Sequence, residues 1–217
     1  MHTVLNQVLA VNEVKHVNAL VASGSLVDGR GTSIVFGKNN RQLEVDSAAA
    51  REAGAIVIDR LLAHAAFRAA VQPAALHPPL FNRYEPGMEY PAHVDVAMMG
   101  RVRTDVALTI FLSMQDSYEG GELVVDTGNG LRSYRLQAGD AIAYPASTVH
   151  HVSRVTRGVR LAAVLWVQSL VRDPLQRALL CEVEQAMEAF GATVCGNRLR
   201  RSYWNLMRLW AEPATHS

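Results

Sequence analysis

The stretch YPAHVDVAMMG, residues 90–100, sets an imidazole and a carboxylate two positions apart, at His93 and Asp95. If the chain is extended here, residues i and i+2 point to one face and the two groups converge. Such a pair supplies two of the three protein ligands of a facial triad. That arrangement suits non-heme Fe(II) and leaves coordination positions open. Alone the pattern decides little. With eight histidines in 217 residues, a His-x-Asp is expected by chance about 0.4 times at ordinary Asp frequency. A fortuitous pair in an ordinary strand is the competing reading, so partners elsewhere in the chain must choose.

Working outward, the surrounding texture is β. From about Pro78 to Gln168 short apolar runs such as YPAHVDVAM, VALTIFLSM, AIAYPAS and VRLAAVLWVQ are separated by turn signals at Gly120-Gly121, Gly128-Asn129-Gly130 and Gly139-Asp140. That spacing predicts a sandwich or barrel rather than alternating βαβ units. Helical periodicity flanks it. Residues 8–23 carry Val8, Val11, Val14, Val17, Leu20 and Val21. Residues 47–63 form a second helix with Asp46 or Ser47 as cap and Ile56, Leu61 and Leu62 inward. After the β region Asp173 caps and Pro174 opens a helix with Leu175, Leu179, Val183, Ala186 and Phe190 on one face and Gly191 at its end. Leu199, Tyr203, Leu206 and Trp210 predict a short last helix. The expected organisation is a helical and β support region at 1–77, a β core at 78–170 and a C-terminal helical extension at 171–217.

A distant histidine is needed to complete the triad. His150 and His151 stand in YPASTVHHVSRVTRGVR, 144–160. Neighbours on a strand face opposite ways, so only one can join His93 and Asp95; a half-exposed pair on an edge strand is the alternative. Arg160 follows ten residues after His150 and opens the apolar run RLAAVLWV. A buried guanidinium needs an anion. A substrate carboxylate held bidentately would serve, and so would a structural salt bridge.

Composition narrows the partners. The chain is 49% hydrophobic and 19% charged with a net charge of +1, so it lacks the basic footprint that nucleic acid or an acidic membrane surface requires. Asn6, Gln7, Asn12, Glu13 and Lys15 interrupt any apolar leader, and LAAVLWVQSLV is too short to span a bilayer. Cys181 and Cys195 have no zinc or CxxC spacing and read as free thiols. A cytoplasmic enzyme or binding protein is expected.

The order His-x-Asp, distal His, then Arg ten residues on resembles that of Fe(II)- and 2-oxoglutarate-dependent dioxygenases. PPLFNRYEPGMEYPAHVD, RVRTDVALTIFLS, DSYEGGELVV, YPASTVHHVSRVTRGVR and WVQSLVRDPLQRALL, with VDGR at 27–30 and KNNRQL at 38–43, closely resemble the bacterial PKHD-type hydroxylases, prolyl/lysyl hydroxylase-like members of that superfamily. The resemblance implies an α+β fold, mainly β with flanking helices: a double-stranded β-helix (jelly roll) core with a C-terminal helical extension. It implies that His93, Asp95 and His150 are the metal and catalytic residues, with His93 and Asp95 on one core strand. It prefers His150 to His151, where the family often has other residues. Arg160 would bind the distal carboxylate of 2-oxoglutarate. Arg157 is the runner-up, set in a turn beside Gly158.

Tyr84 and Tyr90 resemble pocket tyrosines that bind the cosubstrate, and a core tyrosine with a satisfied hydroxyl is the alternative for each. Gly120, Gly121 and Glu122 match a structural turn, and Trp166 reads as core. The implied cofactors are Fe(II), 2-oxoglutarate as cosubstrate, L-ascorbate as reductant and O2 as substrate. 2-Oxoglutarate would be decarboxylated to succinate and CO2 while a small-molecule or peptidyl substrate, a prolyl or lysyl side chain or an iron-uptake-related compound, is hydroxylated. Val96 departs from the Asn that close relatives often carry, and VAMMG is more apolar than expected. The C-terminal helices offer a face for self-association. Rival readings are a metal enzyme on this fold without 2-oxoglutarate, and a non-catalytic sensor of iron or a small ligand.

Overall fold

The computed structural model describes residues 2–32 and 36–212. The chain opens with β1 (Thr3–Leu5), α1 (Val11–Ser23), β2 (Leu26–Asp28), a 3-10 turn at Gly29–Thr32 and β3 (Arg41–Leu43). Next come α2 (Ala48–Ala63), α3 (Ala65–Val71), β4 (Pro73–Leu76), β5 (Leu80–Tyr84) and β6 (Tyr90–His93). β7 (Met98–Met99), β8 (Val102–Arg103), β9 (Val106–Phe111), β10 (Tyr118–Gly120), β11 (Leu123–Asp126) and β12 (Leu131–Tyr134) follow. The rest is β13 (Ala141–Pro145), β14 (His150–Val152), β15 (Val155–Gly158), β16 (Arg160–Ser169), α4 (Pro174–Phe190) and α5 (Val194–Trp210).

Two antiparallel sheets face each other. The major one runs β1-β13-β9-β16-β5-β3-β2, with β4 also on β16, and the minor one runs β12-β11-β14-β6. Every residue of β9 is buried, as expected of a strand covered on both faces. Its odd and even positions separate two cores. Val106, Leu108 and Ile110, with Ala163, Leu165 and Val167 of β16, meet Val14, Val17, Val57, Leu61 and Phe67 of the helices. Ala107, Phe111 and Trp166 face Leu123, Val125 and Tyr134 of the minor sheet. This is the jelly-roll arrangement, with helices on the outer face of the major sheet. β1, β2 and β3, from the region before residue 78, are strands of that same sheet.

Local chemistry sets the helix ends. Ser47 Oγ accepts from the Ala50 N–H, and Asp173 Oδ1 accepts from Leu175 and Gln176 with Pro174 in the first turn. Gly191 closes α4 at φ 54°. α1 begins at residue 11 rather than 8. Gln7 takes φ 54° and the Leu9 N–H binds the Gly139 carbonyl, so Val8 and Leu9 are buried as loop residues.

α4 buries a different face from the expected one. Leu175 is 74% exposed and Leu179 and Phe190 about half, while Arg177, Leu180 and Cys181 are inside. The reason is a second partner: α5 is a full 17-residue helix, and Leu180 with Val183 and Met187 packs on its Tyr203, Leu206 and Trp210. Leu62 of α2 also points out.

Candidate active site

Between the sheets lies a cavity of about 290 Å³ whose walls include His93, Asp95, His150, Arg160, Tyr84 and Tyr90. His150 on β14 and His93 on β6 are direct cross-strand partners, and Val152 pairs with Tyr90. Two steps along β14 thus match three along β6. That β-bulge lets both Tyr90 and His93, three apart, face inward.

β6 ends at His93, so Asp95 lies beyond the strand rather than on it. Its N–H binds the Ala146 carbonyl, which holds the turn against the end of β13. His151 pairs with Val124, is half-buried and points away from the cavity, whereas His150 is 6% exposed.

His93 Nδ1 and His150 Nδ1 lie 2.8 and 2.9 Å from the carbonyls of Pro91 and Thr148. A carbonyl only accepts, so each Nδ1 carries the proton and donates it, leaving an Nε2 lone pair for a metal. Both Nε2 atoms lie 3.9 Å from Asp95 Oδ1. That is too long for a hydrogen bond. Donors each about 2.1 Å from a shared ion stand no more than ~4.2 Å apart, so both spacings suit a common ligand sphere. The three donor groups all fall within 4.8 Å. Burial pushes both imidazoles below their ordinary value, with His150 adding to the effect on His93, and burial pushes the Asp95 carboxyl up. The Trp166 indole opposes the rise at Asp95, yet neither Asp95 Oδ2 nor Trp166 Nε1 has a hydrogen-bond partner among the described residues. Two neutral imidazole donors and a buried carboxylate that presents Oδ1 to both form a donor set that fits Fe(II).

Arg160 opens β16 and is 1% exposed. Counting by two from it brings Val164 and Trp166 to the same wall. Its guanidinium lies 5.2 Å from the Tyr84 ring centroid and 5.6 Å from that of Phe111, and its Nε has no hydrogen-bond partner among the described residues. No carboxylate among the described residues pairs with it, which removes the structural salt bridge and leaves room for a ligand carboxylate. Gly120 and Gly121, both at φ 67°, bring the chain close: a Cβ on Gly121 would stand 3.0 Å from Arg160 Cδ.

Arg157 instead lies on β15, not in a turn, and pairs with Glu119 at the surface. Tyr84 is buried beside Arg160, and burial pushes its phenol up to about 12. Tyr90 stacks on His93, centroids 3.9 Å apart.

Trp166 borders Asp95 and lines the cavity, so it is a wall residue as well as a core one. Tyr144, Asn82 and Thr109 line it too. Strand parity would have found these, as they alternate with helix-facing positions. Lys38 is also in the wall, and it sits in a connecting segment with no periodic signal.

The sequence pattern of the 2OG-Fe(II) oxygenase superfamily matches residues 79–168. Similar proteins include a PKHD-type hydroxylase of Acaryochloris marina, 42% identical over 96% of this chain and 98% of that one. Another, from Thermosynechococcus vestitus, is 43% identical with the same coverage. Among solved structures, a Pseudomonas putida prolyl-4-hydroxylase shares the fold at TM-score 0.58 and 18% identity, over 77% of this chain and 92% of that one. A Trichoplax adhaerens prolyl hydroxylase, solved with a hypoxia inducible factor peptide fragment, does so at TM-score 0.60 and 18% identity, over 82% and 86%. From its own sequence and these relatives, the chain belongs to the PKHD-type hydroxylases, enzymes of the 2OG-Fe(II) oxygenase superfamily.

Proposed function

We propose that His93, Asp95 and His150 hold Fe(II), and that Arg160 receives the distal carboxylate of 2-oxoglutarate, in a hydroxylase acting on a small-molecule or peptidyl substrate. The observation that carries this reading is one cavity that holds both a cluster of donor atoms, His93 Nε2, His150 Nε2 and Asp95 Oδ1, and the buried Arg160 guanidinium, which no carboxylate among the described residues pairs. Left without partners these groups would destabilise the fold. A metal ion satisfies the first and a ligand carboxylate the second.

Iron, when bound, supplies the oxygen activation that couples decarboxylation of 2-oxoglutarate, to succinate and CO2, with hydroxylation. The chain supplies the rest. Carbonyl-anchored imidazoles present fixed lone pairs, and Asp95 adds a desolvated negative charge. Tyr84 and Phe111 hold the guanidinium between their rings and Tyr84 borders the cosubstrate; Tyr90 steadies His93. Leu80, Val164 and Trp166 keep bulk water out. About 290 Å³ is small for a ligand site. It takes the cosubstrate and the reacting end of a second molecule, whose remainder lies outside the cavity. A buried Cys181 and an exposed free Cys195 support a reducing, cytoplasmic setting. Exposed Leu175, Leu179, Trp204 and Leu209 support self-association through α4 and α5.

The test is succinate formation by anaerobically purified protein given Fe(II), ascorbate and 2-oxoglutarate, then oxygen. His150→Ala should abolish succinate and His151→Ala should retain it. Wild type that neither makes succinate nor binds 2-oxoglutarate would sink the reading and leave a metal- or ligand-binding sensor in its place.

A further inference from the structure

Lys38 lies in the segment joining the Gly29–Thr32 turn to β3, and iron and cosubstrate chemistry leave it without a role. It is 4% exposed and lines the same cavity as His93, Asp95, His150 and Arg160. Nζ donates to Thr32 Oγ1 at 3.0 Å and lies 5.1 Å from the centroid of the Tyr90 ring that stacks on His93. These partners are neutral. No carboxylate among the described residues pairs with Lys38. Asp28, whose charge reaches it, is engaged by Arg30. A buried ammonium without an anion is costly, and burial pushes Lys38 down to about 8.

Counting charge in the cavity shows what is missing. Histidines bind metal only as neutral imidazoles. Asp95 carries one negative charge, and Arg160 and Lys38 one positive charge each. A divalent ion and a dianionic cosubstrate leave a single positive charge over. The two cosubstrate carboxylates are taken by the metal and Arg160, so the surplus falls on Lys38.

We propose that Lys38 is the substrate-recognition cation of this cavity, and that it binds a carboxylate carried by the substrate close to the position hydroxylated. The inference rests on the iron and 2-oxoglutarate reading above. An ammonium acts as a point charge and imposes no plane on its partner, so recognition here requires charge more than shape.

The experiment is calorimetric titration of acetate, and of acetamide as its neutral counterpart, into protein loaded with Mn(II) and 2-oxoglutarate. Wild type should bind acetate and not acetamide. Lys38→Met should weaken acetate at least tenfold, and Lys38→Arg should hold it within about threefold, with thermal midpoints showing both variants folded. Three results overturn the proposal: acetate bound equally by wild type and Lys38→Met, acetate bound no better than acetamide, or 2-oxoglutarate weakened by Lys38→Met as much as acetate. The last would make Lys38 part of the cosubstrate site. Wild type that takes up neither Mn(II) nor 2-oxoglutarate would overturn the underlying reading, and this inference with it.

Discussion

Replacing Lys38 by Met should make the metal-free protein more stable at neutral pH. Burial lowers Lys38 from the ordinary 10.5 to about 8, which corresponds to ~3 kcal/mol of disfavoured charging. The folded value lies below the unfolded one, so below pH 8 both states hold the proton and the folded chain bears the whole penalty. Between pH 8 and 10.5 the unfolded chain binds the extra proton, and wild-type stability rises with pH. Met removes the charge and keeps most of the volume. It forfeits the contact with Tyr90 and the bond to Thr32, together about 1 kcal/mol. The net expectation at pH 7 is a gain of ~2 kcal/mol, a rise in Tm of about 4–8 °C for a chain this size. Urea unfolding of both proteins with a chelator present, at pH 7 and in steps to pH 10.5, measures it. A variant less stable than wild type at pH 7, or an advantage that does not shrink above pH 8, would refute the argument. A gain would mark Lys38 as a residue held at the expense of stability, which is characteristic of functional sites.

Two further outcomes follow from the geometry. Arg160→Met should raise the KM for 2-oxoglutarate about 100-fold, since two charge-assisted hydrogen bonds are lost, and steady-state succinate formation reads it; an unchanged KM would remove Arg160 from the cosubstrate site. Gly120→Ala should destabilise by about 3 kcal/mol, because its Cβ would stand 2.0 Å from the Arg154 carbonyl at φ 67°. Gly128→Ala, at φ 78° with open space around it, should cost only about 1 kcal/mol, and equal losses in urea unfolding would contradict the close approach.

What could be read from the sequence was what local chemistry decides. Ser47 and Asp173 with Pro174 mark helix starts by side-chain bonds, and Gly191 marks a helix end by a positive backbone angle open to a residue without a Cβ. Arg160 stood out because a charged residue opening an apolar strand needs a partner. Other features depended on packing. α3 is seven residues long, too short for periodicity to show. The inward face of α4 was set by α5, a neighbour that no pattern within α4 reveals. The strand expected to carry both His93 and Asp95 ends at His93, and the bulge that turns Tyr90 inward arises from pairing with β14. Trp166 has two neighbourhoods, core and cavity, and its own sequence context reports only the first. Lys38 reaches the site from a connecting segment, where side-chain direction follows no period.

The bulge in β6 has a second effect, on solubility. Among the described residues β6 is an edge strand of the minor sheet, and an open edge offers unpaired backbone groups to any other chain in extended form. Here the ladder to β14 is short and irregular, and Pro91 within it has no N–H to donate. Proline and bulges are devices by which natural sheets blunt their edges. The irregularity that aims two aromatic rings into the cavity therefore also denies a template for strand-by-strand aggregation. A substitution that straightened β6 would harm the protein twice, by misdirecting His93 and by exposing a regular edge.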